Sequence, residues 1–329
     1  IFLKKKLRNA AIFSLDNLSR TGSKINKKRL HKFKIKNYNY DIENSKKINS
    51  LQKFNLVIDC CAEPAIEASK KNPTRVFNTN LLGTFNILKK CLKDKSNIIF
   101  LSSSRVYSIK SLRNIIKKQS LKKPIKINKL IDEKFDTSGE SSLYGFTKLA
   151  SEKLIKEMFY EEKLKYLINR FGVISGPWQF GKQDQGFITL WIARHMLKKK
   201  LSYIGFGGNG HQVRDIIHID DVCAATMAIC KMPDSGNTYH ISTDKFVSIR
   251  DLVAMIVDKL GESFNQVVEL VDERPGKDQA YFLDSKKLRE KTGWSDKVSL
   301  EKGLEQTINW FKQHQVRLKS FEENYVHKP

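Results

Sequence analysis

The amino-terminal half of the chain alternates short apolar runs with helical patterns, and this alternation constrains the fold more than any other feature. The runs at 10–15, 55–61, 97–102 and 166–173 have the length of strands and are nearly continuous in apolar residues, as strands covered on both faces must be. Helical spacing of apolar residues covers 72–93 and 144–162. Strands and helices that alternate in this way build parallel sheets. The sequence therefore predicts an α/β protein with a doubly wound parallel sheet over residues 1–175.

A second, smaller α/β domain is predicted for residues 176–329, because the pattern changes to shorter elements after Gly176-Pro177. Helices are expected at 187–199, 221–231, 249–260 and 300–313. A strand near 237–243 is expected to return to the first sheet. The segment 108–130 carries eight Lys or Arg residues and no acidic residue, which predicts an exposed excursion. It is either a solvated loop or a basic lid over an anionic ligand.

Charge and composition restrict the partners. The 329 residues contain 60 Lys and Arg against 35 Asp and Glu, a net charge of +25. Because 47 of the 60 are lysines, solvated surface lysines are favoured over a polyanion-binding face, and nucleic acid is not expected as a partner. No apolar run approaches the ~20 residues that cross a bilayer. Five cysteines without metal-ligand spacing predict no metal and a reducing, cytoplasmic compartment.

One pair of residues has a spacing that suits proton transfer. Tyr144 and Lys148 lie four residues apart, which places both on one face of a helix. The predicted strand 97–102 runs into Ser103, at the carboxyl end where open parallel sheets bind ligands. A tyrosine becomes a general base near neutral pH when a nearby ammonium stabilises its phenolate. The residues suggest Tyr144 as base, Lys148 as its support and Ser103 as the group that orients a substrate alcohol. The alternative is a serine cluster beside a surface Tyr/Lys pair.

Asp16 ends the first predicted strand. A Rossmann fold places a carboxylate there, where it accepts hydrogen bonds from the adenosine ribose and favours NAD over NADP. The glycine-rich phosphate loop should precede this acid by about 20 residues, which falls before residue 1. We therefore expect that the chain lacks its natural start, including the first strand and this loop. The alternative is that Asp16 is merely a turn residue.

Taken in order, these motifs resemble those of the extended short-chain dehydrogenases/reductases that act on nucleotide sugars. The resemblance covers essentially the whole chain apart from the amino-terminal phosphate loop. The matching segments are DNLSR at 16–20, DI at 41–42, NLLGT at 80–84, LSSSRVY at 101–107, YGFTK at 144–148, VRDIIHIDD at 213–221, RPGKDQ at 274–279 and TGW at 292–294. The resemblance implies a Rossmann-type domain that binds NAD and a smaller α/β domain that binds the nucleotide sugar.

The resemblance also implies roles for individual residues. Catalysis falls to Ser103, Tyr144 and Lys148. The positions that would bind NAD are Asp16, Asn17, Ser19, Arg20, Asp41, Ile42, Cys60, Cys61, Ala62, Asn80, Ser102, Tyr144, Lys148, Phe171 and Val173. The positions that would bind the nucleotide sugar are Ser104, Arg105, Gln179, Gln185, Arg214 and Arg274. The chain departs from the family at 59–62, where Asp-Cys-Cys-Ala stands in place of a His-x-Ala-Ala-like run; cysteine is small and apolar enough to fit.

Within the family, segments 176–186 and 208–215 are most similar to the CDP-paratose 2-epimerase (CDP-tyvelose epimerase) branch. This similarity implies hydride removal from a sugar carbon, a keto-sugar intermediate, and return of the hydride to the opposite face. Family dehydratases follow the catalytic Ser/Thr with an Asp-Glu pair, whereas Ser104 and Arg105 stand here, so dehydration is disfavoured.

Two alternatives remain open from the sequence. The first is a UDP-sugar 4-epimerase or another enzyme of the nucleotide-sugar dehydratase family. The second is a non-catalytic, basic nucleic-acid-binding protein on a truncated Rossmann scaffold, which the charge of +25 and the missing loop suggest. The family commonly forms oligomers through the helices equivalent to 72–93 and 144–162. A homodimer or homotetramer is therefore expected.

Overall fold

The computed structural model describes residues 1–20, 22–64, 71–116, 126–127, 129–181, 185–199, 201–203, 210–232, 236–262, 268–270 and 281–314. The chain divides into two units. The first contains Ile1–Val106, Ser141–Arg170 and Cys230–Tyr239, and the second contains Tyr107–Glu140, Phe171–Ile229 and His240–Pro329. The chain passes from the first unit to the second after Arg170, and 107–140 groups with the second unit.

The first unit alternates helices and strands. In chain order its elements are α1 (Phe2–Lys6), β1 (Phe13–Leu15), α2 (Ser23–Lys32), β2 (Lys36–Tyr38), α3 (Ser45–Asn49), β3 (Leu56–Asp59), α4 (Pro73–Phe77), a π-helical turn (Asn78–Leu82), α5 (Gly83–Asp94), β4 (Asn97–Leu101), a 3₁₀ turn (Ser104–Val106), α7 (Leu143–Glu161), β5 (Tyr166–Phe171) and β9 (Asn237–Ile241). The four strands predicted from the sequence are all present, and β9 is the expected returning strand.

The strands form the parallel sheet that the alternation predicts. β1 pairs with β2 in parallel, and a further sheet has the order β3-β4-β5-β9, with β3, β4 and β5 parallel. One face of this sheet is covered by α5 and α7, where Leu88, Phe100, Ile155, Phe159 and Ile168 are fully buried. Near-continuous apolar strands are therefore explained by burial on the helical face and by the pairing of central strands.

The predicted helix 72–93 is interrupted. Asn72 caps its start by accepting a hydrogen bond from the backbone N–H of Arg75, with Pro73 in the first turn, as helix starts favour. The helix then passes through the π-helical turn Asn78–Leu82 before α5 begins at Gly83. Such turns recur at functional sites, and this one carries Asn80, whose role is described below.

The second unit combines shorter elements. They are α6 (Ile109–Ile115), β6 (Val173–Ser175), α8 (Phe187–Met196), β7 (Leu201–Tyr203), β8 (Val213–His218), α9 (Ile219–Cys230), β10 (Phe246–Ser248), α10 (Ile249–Leu260), β11 (Val268–Leu270), α11 (Lys286–Thr292) and α12 (Leu300–Gln313). β8 lies between antiparallel β10 and parallel β6, and β7 pairs with β11. The core of this unit joins α8, α10 and α12 through Ile192, Leu252, Val253, Ile308 and Phe311.

The prediction of an exposed excursion over 108–130 is wrong for the part that the structure describes. Ser108 caps α6 by accepting from the N–H of Ser111, and Leu112 and Ile116 are buried. The segment therefore begins with a helix that packs an apolar face, which its eight basic residues obscured. Residues 117–125 lie outside the described ranges. Within those ranges, no helix has the length and apolarity that crossing a bilayer requires.

Two glycines in helical segments allow a direct test of packing. A Cβ at Gly145 would lie 2.0 Å from the backbone carbonyl oxygen of Arg105, whereas a Cβ at Gly83 would lie 2.6 Å from a terminal methyl of Ile42. Backbone cannot yield as a side chain does, so we expect Gly145→Ala to cost about 1–3 kcal/mol of unfolding free energy. Gly83→Ala should cost less, because the methyl group of Ile42 can shift, while both variants gain about 1 kcal/mol in helix propensity.

Urea denaturation of the full chain measures both values. Equal losses for the two variants would contradict the close approach of α7 to the turn at Arg105.

Candidate active site

The first part of the site is the carboxyl end of β4. The backbone N–H of Ser102 donates to the carbonyl oxygen of Asn169 at 2.7 Å, which extends the β4–β5 pairing. Beyond it the chain turns, with the N–H of Arg105 donating to Oγ of Ser103 at 3.2 Å. Ser102 and Ser104 are buried. The three consecutive hydroxyls are thus fixed at the strand end by backbone geometry rather than displayed on a loose loop.

The second part is the first turn of α7. Ser142 caps this helix by accepting from the N–H of Gly145 at 3.1 Å, and the turn carries Tyr144, which is 9% exposed. Ser103 lies close enough to Tyr144 for its side chain to lower the pKa of the phenol. The structure therefore brings together the two residues that the sequence proposed as base and substrate-orienting hydroxyl.

The pKa of Tyr144 depends on burial and on two neighbouring residues. Burial is the largest influence and raises the pKa of Tyr144, while the hydrogen bond with Ser103 and the positive charge of Arg105 lower it. The sequence interpretation gave this role to Lys148, and the structure adds Arg105 as a cation that lowers the pKa of Tyr144. The physical reason is local, because Arg105 lies in the turn that follows Ser103. Its position two residues beyond Ser103 was the signal available in the sequence.

Lys148 lies deeper in the same unit. It is 2% exposed, and its Nζ lies 3.8 Å from the centroid of the Phe100 ring. Burial lowers the pKa of Lys148, while the negative charges of neighbouring groups raise it, Asp59 foremost, followed by Cys60, Cys61 and Glu152. The ammonium is therefore held among the ends of β3 and β4 and the body of α7.

Sequence reasoning missed a buried ion pair next to Lys148. Glu152, one helical turn further along α7, accepts from Nε of Arg170 at 3.0 Å and from Nη2 of the same guanidinium at 2.5 Å. Oγ of Ser102 also donates to Glu152. Both charged side chains are almost fully buried. The available signal was an acidic residue four positions after Lys148 on the face that carries Tyr144, since buried charges require partners.

Asn80 connects the site helices to the loop after β3. Its Oδ1 accepts from the N–H of Glu63 at 2.7 Å, and its Nδ2 donates to the carbonyl oxygen of Glu63 and to Oγ1 of Thr147, both at 3.1 Å. Oγ of Ser151 donates to the carbonyl oxygen of Asn80 at 3.2 Å. These contacts give Asn80 a structural task in addition to the cofactor role implied by the resemblance. They hold the segment that contains Cys60, Cys61 and Ala62.

The carboxyl ends of β1 and β2 carry a second polar cluster. Asp16 is exposed, and its Oδ1 accepts from the N–H of Leu18 at 2.6 Å. Nδ2 of Asn17 donates to Oδ2 of Asp41 at 2.7 Å, and the N–H of Ser19 donates to Oδ1 of Asn17 at 3.1 Å. An exposed carboxylate at a strand's carboxyl end fits the ribose of a dinucleotide. Ile42 is buried and Arg20 is partly buried beside this cluster in sequence.

The positions implied for the nucleotide sugar divide between the units. Ser104 and Arg105 belong to the first unit, and Gln179, Gln185 and Arg214 to the second. Nε2 of Gln179 donates to the carbonyl oxygen of Ile174 at 3.0 Å, and Nη1 of Arg214 donates to the carbonyl oxygen of Val213 at 2.8 Å.

The remaining predicted positions have less to report. Phe171 and Val173 stand in β5 and β6, and Arg274 lies outside the described residues. Among the described residues, no group of three or more His, Cys, Asp and Glu side chains is arranged to hold a metal ion.

The chain belongs to the NAD dependent epimerase/dehydratase family, whose family model matches residues 3–242. The prediction of an extended short-chain dehydrogenase/reductase with a Rossmann-type sheet is thereby confirmed, as is NAD as the cofactor of the family. Membership of an enzyme family favours the enzymatic interpretation over the non-catalytic, nucleic-acid-binding alternative.

Individual relatives show which reactions occur among similar proteins. A dTDP-D-glucose 4,6-dehydratase from Dictyostelium discoideum is 26% identical over 95% of this chain and 78% of its own length. A putative UDP-glucose 4-epimerase from Methanocaldococcus jannaschii is 29% identical over 92% of this chain and 91% of its own length. Both relatives are named for nucleotide-sugar substrates, and this supports the nucleotide-sugar class. Neither of the two is a CDP-paratose epimerase.

Solved structures show the same fold. UDP-glucose 4-epimerase of Thermotoga maritima, in a structure with UDP-glucose, aligns with a TM-score of 0.80 at 23% identity and covers 95% of both chains. The dTDP-glucose 4,6-dehydratase DesIV of Streptomyces venezuelae, as a double mutant with NAD bound, aligns with a TM-score of 0.82 at 21% identity. It covers 97% of this chain and 95% of its own.

The position of Arg105 leads to a prediction about pH. Replacing it by methionine removes the charge that lowers the pKa of Tyr144, so the phenolate forms at higher pH. The acidic limb of kcat/KM, which reports the free enzyme, should move about one pH unit higher in Arg105→Met. Lys153→Met is the matched control, because Lys153 is an exposed cation on the same helix. A limb that stays in place in Arg105→Met would contradict the electrostatic role of Arg105.

Proposed function

We propose that this protein is an NAD-dependent epimerase of nucleotide-diphosphate sugars, most similar in activity to CDP-paratose 2-epimerase. The observation that carries the proposal is the proximity of Ser103 and Tyr144 at the carboxyl end of β4, with Lys148 buried one helical turn further along α7. This arrangement can remove the proton from a sugar hydroxyl and return it.

The residues perform separate tasks in the proposed reaction. Ser103 orients the sugar hydroxyl, and Tyr144 takes its proton as the carbon is oxidised to a ketone. Arg105 favours the phenolate during this step. Hydride exchange with the sugar carbon is the chemistry that bound NAD supplies. The keto sugar then rotates in the site so that its opposite face is presented for hydride return. Tyr144 gives the proton back to the oxygen on the inverted carbon.

The cofactor would be held at strand ends of the first unit. Asp16 would accept hydrogen bonds from the hydroxyls of the adenosine ribose. The Asn17–Asp41 pair, Ser19, Arg20 and Ile42 would surround the same part of the cofactor. Cys60, Cys61, Ala62, Asn80 and Ser102 would lie toward the nicotinamide, with Lys148 as an additional contact. Phe171 and Val173 complete the proposed set. The proposal accordingly gives the first unit to NAD and most of the second unit to the nucleotide sugar.

The identity of the sugar is proposed from a few positions. Arg214 and Arg274 are proposed to bind the diphosphate, since bidentate guanidinium geometry suits phosphate oxygens. Gln179, Gln185, Ser104 and Arg105 are proposed to contact the rest of the nucleotide sugar. The similarity of segments 176–186 and 208–215 to the CDP-paratose 2-epimerase branch supports a CDP-linked substrate and inversion at C2.

A UDP-sugar 4-epimerase is the second candidate, because one relative carries that name. Dehydration receives less support although several relatives are dehydratases. Elimination of water calls for a carboxyl group as general acid, and the residues after Ser103 are Ser104 and Arg105. No disulfide joins any of the five cysteines, all of which lie in the described residues, and we propose a cytoplasmic location.

A substrate panel with NMR of the products tests the proposal, and Tyr144 provides its internal check. CDP-linked and UDP-linked hexoses are incubated with the enzyme and NAD; inversion at C2 of a CDP-sugar is expected, whereas inversion at C4 supports the second candidate. Tyr144→Phe should lower kcat by about 10²–10⁴-fold, the usual contribution of a general base, and leave CDP binding in calorimetry unchanged.

Tyr160→Phe serves as the matched control, because Tyr160 is 82% exposed on the same helix. Undiminished turnover by Tyr144→Phe would overturn the assignment of the base.

The proposed oligomer uses the exposed apolar side chains of the two site helices. Phe77, Leu82 and Phe146 are 44%, 42% and 52% exposed, and α4 and the π-helical turn both contact α7. We propose that a second copy of the chain covers them, in a homodimer or homotetramer. Phe146→Glu is expected to yield monomers in light scattering, while Lys156→Glu, an exposed change on the same helix, keeps the oligomer. A monomeric wild-type chain would refute this part of the proposal.

A further inference from the structure

Asp59, the last residue of β3, is a buried carboxylate to which the sequence gave no task. It is 3% exposed. Its Oδ2 accepts from Oγ1 of Thr84 at 3.0 Å, and its Oδ1 accepts from the N–H of Cys61 at 2.9 Å. Both of these partners are uncharged. A buried carboxylate with only neutral partners carries a large desolvation cost unless a cation lies nearby.

The sheet register places Asp59 on the face of the sheet where Lys148 lies. Asp59 and Phe100 are direct neighbours in the parallel β3–β4 pairing, so their side chains project from the same face of the sheet. Phe100 packs in the cluster formed with α5 and α7, and Thr84, which binds Asp59, also belongs to α5. Nζ of Lys148 lies 3.8 Å from the centroid of the Phe100 ring. Lys148 and Asp59 therefore share the helix-covered face next to one aromatic ring.

The charges in this region leave Asp59 as the principal counter-ion. Glu152 is also near Lys148, but its carboxylate is bound by two nitrogens of Arg170, which compensates its charge. Among the groups that favour the ammonium form of Lys148, Asp59 is the largest and Glu152 the smallest of those named above. A buried ammonium needs one uncompensated negative charge, and Asp59 supplies it.

The remaining titratable groups around the pair do not compete. Burial, with Asp59 as a further cause, raises the pKa of Cys61 well above its usual value and that of Cys91 to about 12. Both thiols are therefore neutral at physiological pH. The charge of Asp16 raises the pKa of Cys61. Cys60 raises the pKa of Lys148 less strongly than Asp59 does. The charged set is thus Lys148 with Asp59 on one side and the Glu152–Arg170 pair on the other.

We propose that Asp59 is a positioning residue of the active site, the counter-ion that keeps Lys148 protonated and in place behind Tyr144. This proposal rests on the proposed function for its consequence in catalysis, but the ion pair itself does not. The run Asp59-Cys60-Cys61-Ala62, which departs from the His-x-Ala-Ala-like run of relatives, thereby acquires a specific task. It brings a fixed negative charge to a buried catalytic lysine.

The catalytic consequence is tested with the pH profile of kcat. In Asp59→Asn the carboxylate charge is absent, so Lys148 loses its proton at lower pH and the alkaline limb should move about one pH unit lower. Thr84→Val is the matched control, because it removes the hydroxyl that binds Asp59 and retains the charge. The alkaline limb of Thr84→Val should stay within a few tenths of a pH unit of wild type. An alkaline limb that does not move in Asp59→Asn would overturn the proposal.

A double-mutant cycle tests the ion pair without substrate or cofactor and remains informative if Asp59→Asn alone folds poorly. The unfolding midpoints of wild type, Asp59→Asn, Lys148→Met and the double variant are compared in urea. If the charges pair, each single variant leaves an unpaired buried charge and unfolds at a lower urea concentration. The double variant then recovers most of this decrease in the unfolding midpoint. A double variant that loses the sum of the two single losses would refute the pair. Absence of epimerase activity with intact coupling would refute the proposed function alone.

Discussion

The site depends on charged side chains that α7 buries against the ends of three neighbouring strands. Arg170 in β5 binds Glu152 with two nitrogens, and Lys148 lies over Phe100 in β4. Removing one partner of a buried pair costs roughly 3–5 kcal/mol, a large share of the 5–15 kcal/mol that stabilises a typical domain. A slip of α7 by one residue would break these contacts together. The charges therefore fix the position along α7 at which Tyr144 lies next to Ser103. Packing of apolar residues alone would define this position less sharply.

A second set of contacts holds the neighbouring helix and the β3 loop in the same frame. Asn80 binds Thr147 of α7 and both backbone groups of Glu63. It stands in the π-helical turn, where the regular i to i−4 pattern is interrupted and a side chain can be presented that a continuous α-helix would direct elsewhere. The loop with Cys60 and Cys61 is therefore fixed from one side by Asp59 and from the other by Asn80. Separate groups of polar contacts thus join the strand ends to the helices inside the first unit.

Much of this arrangement could be predicted from the sequence, because it follows from local pattern. The bounds 249–260 and 300–313 agree with α10 and α12, and the four strands of the first half lie where apolar runs indicated. The π-helical turn could not be found, since its apolar spacing is continuous with the flanking helices. Helix α6 was missed because its basic residues masked the buried Leu112. The Glu152–Arg170 pair and the proposed interaction of Asp59 with Lys148 join residues far apart in sequence, and no periodicity encodes them.

The electrostatics of the site also bear on the reaction type. Epimerisation through a keto sugar needs a single base that gives and takes the same proton, so a phenol kept near a cation suffices. Elimination of water needs in addition an acid that protonates the departing hydroxyl. Here the turn after Ser103 offers a guanidinium, and the buried carboxylates of Asp59 and Glu152 are engaged by Thr84 and Arg170. A cation that lowers the pKa of Tyr144, together with buried acids that already have partners, suits reversible proton exchange, which is the property that the proposed epimerase requires.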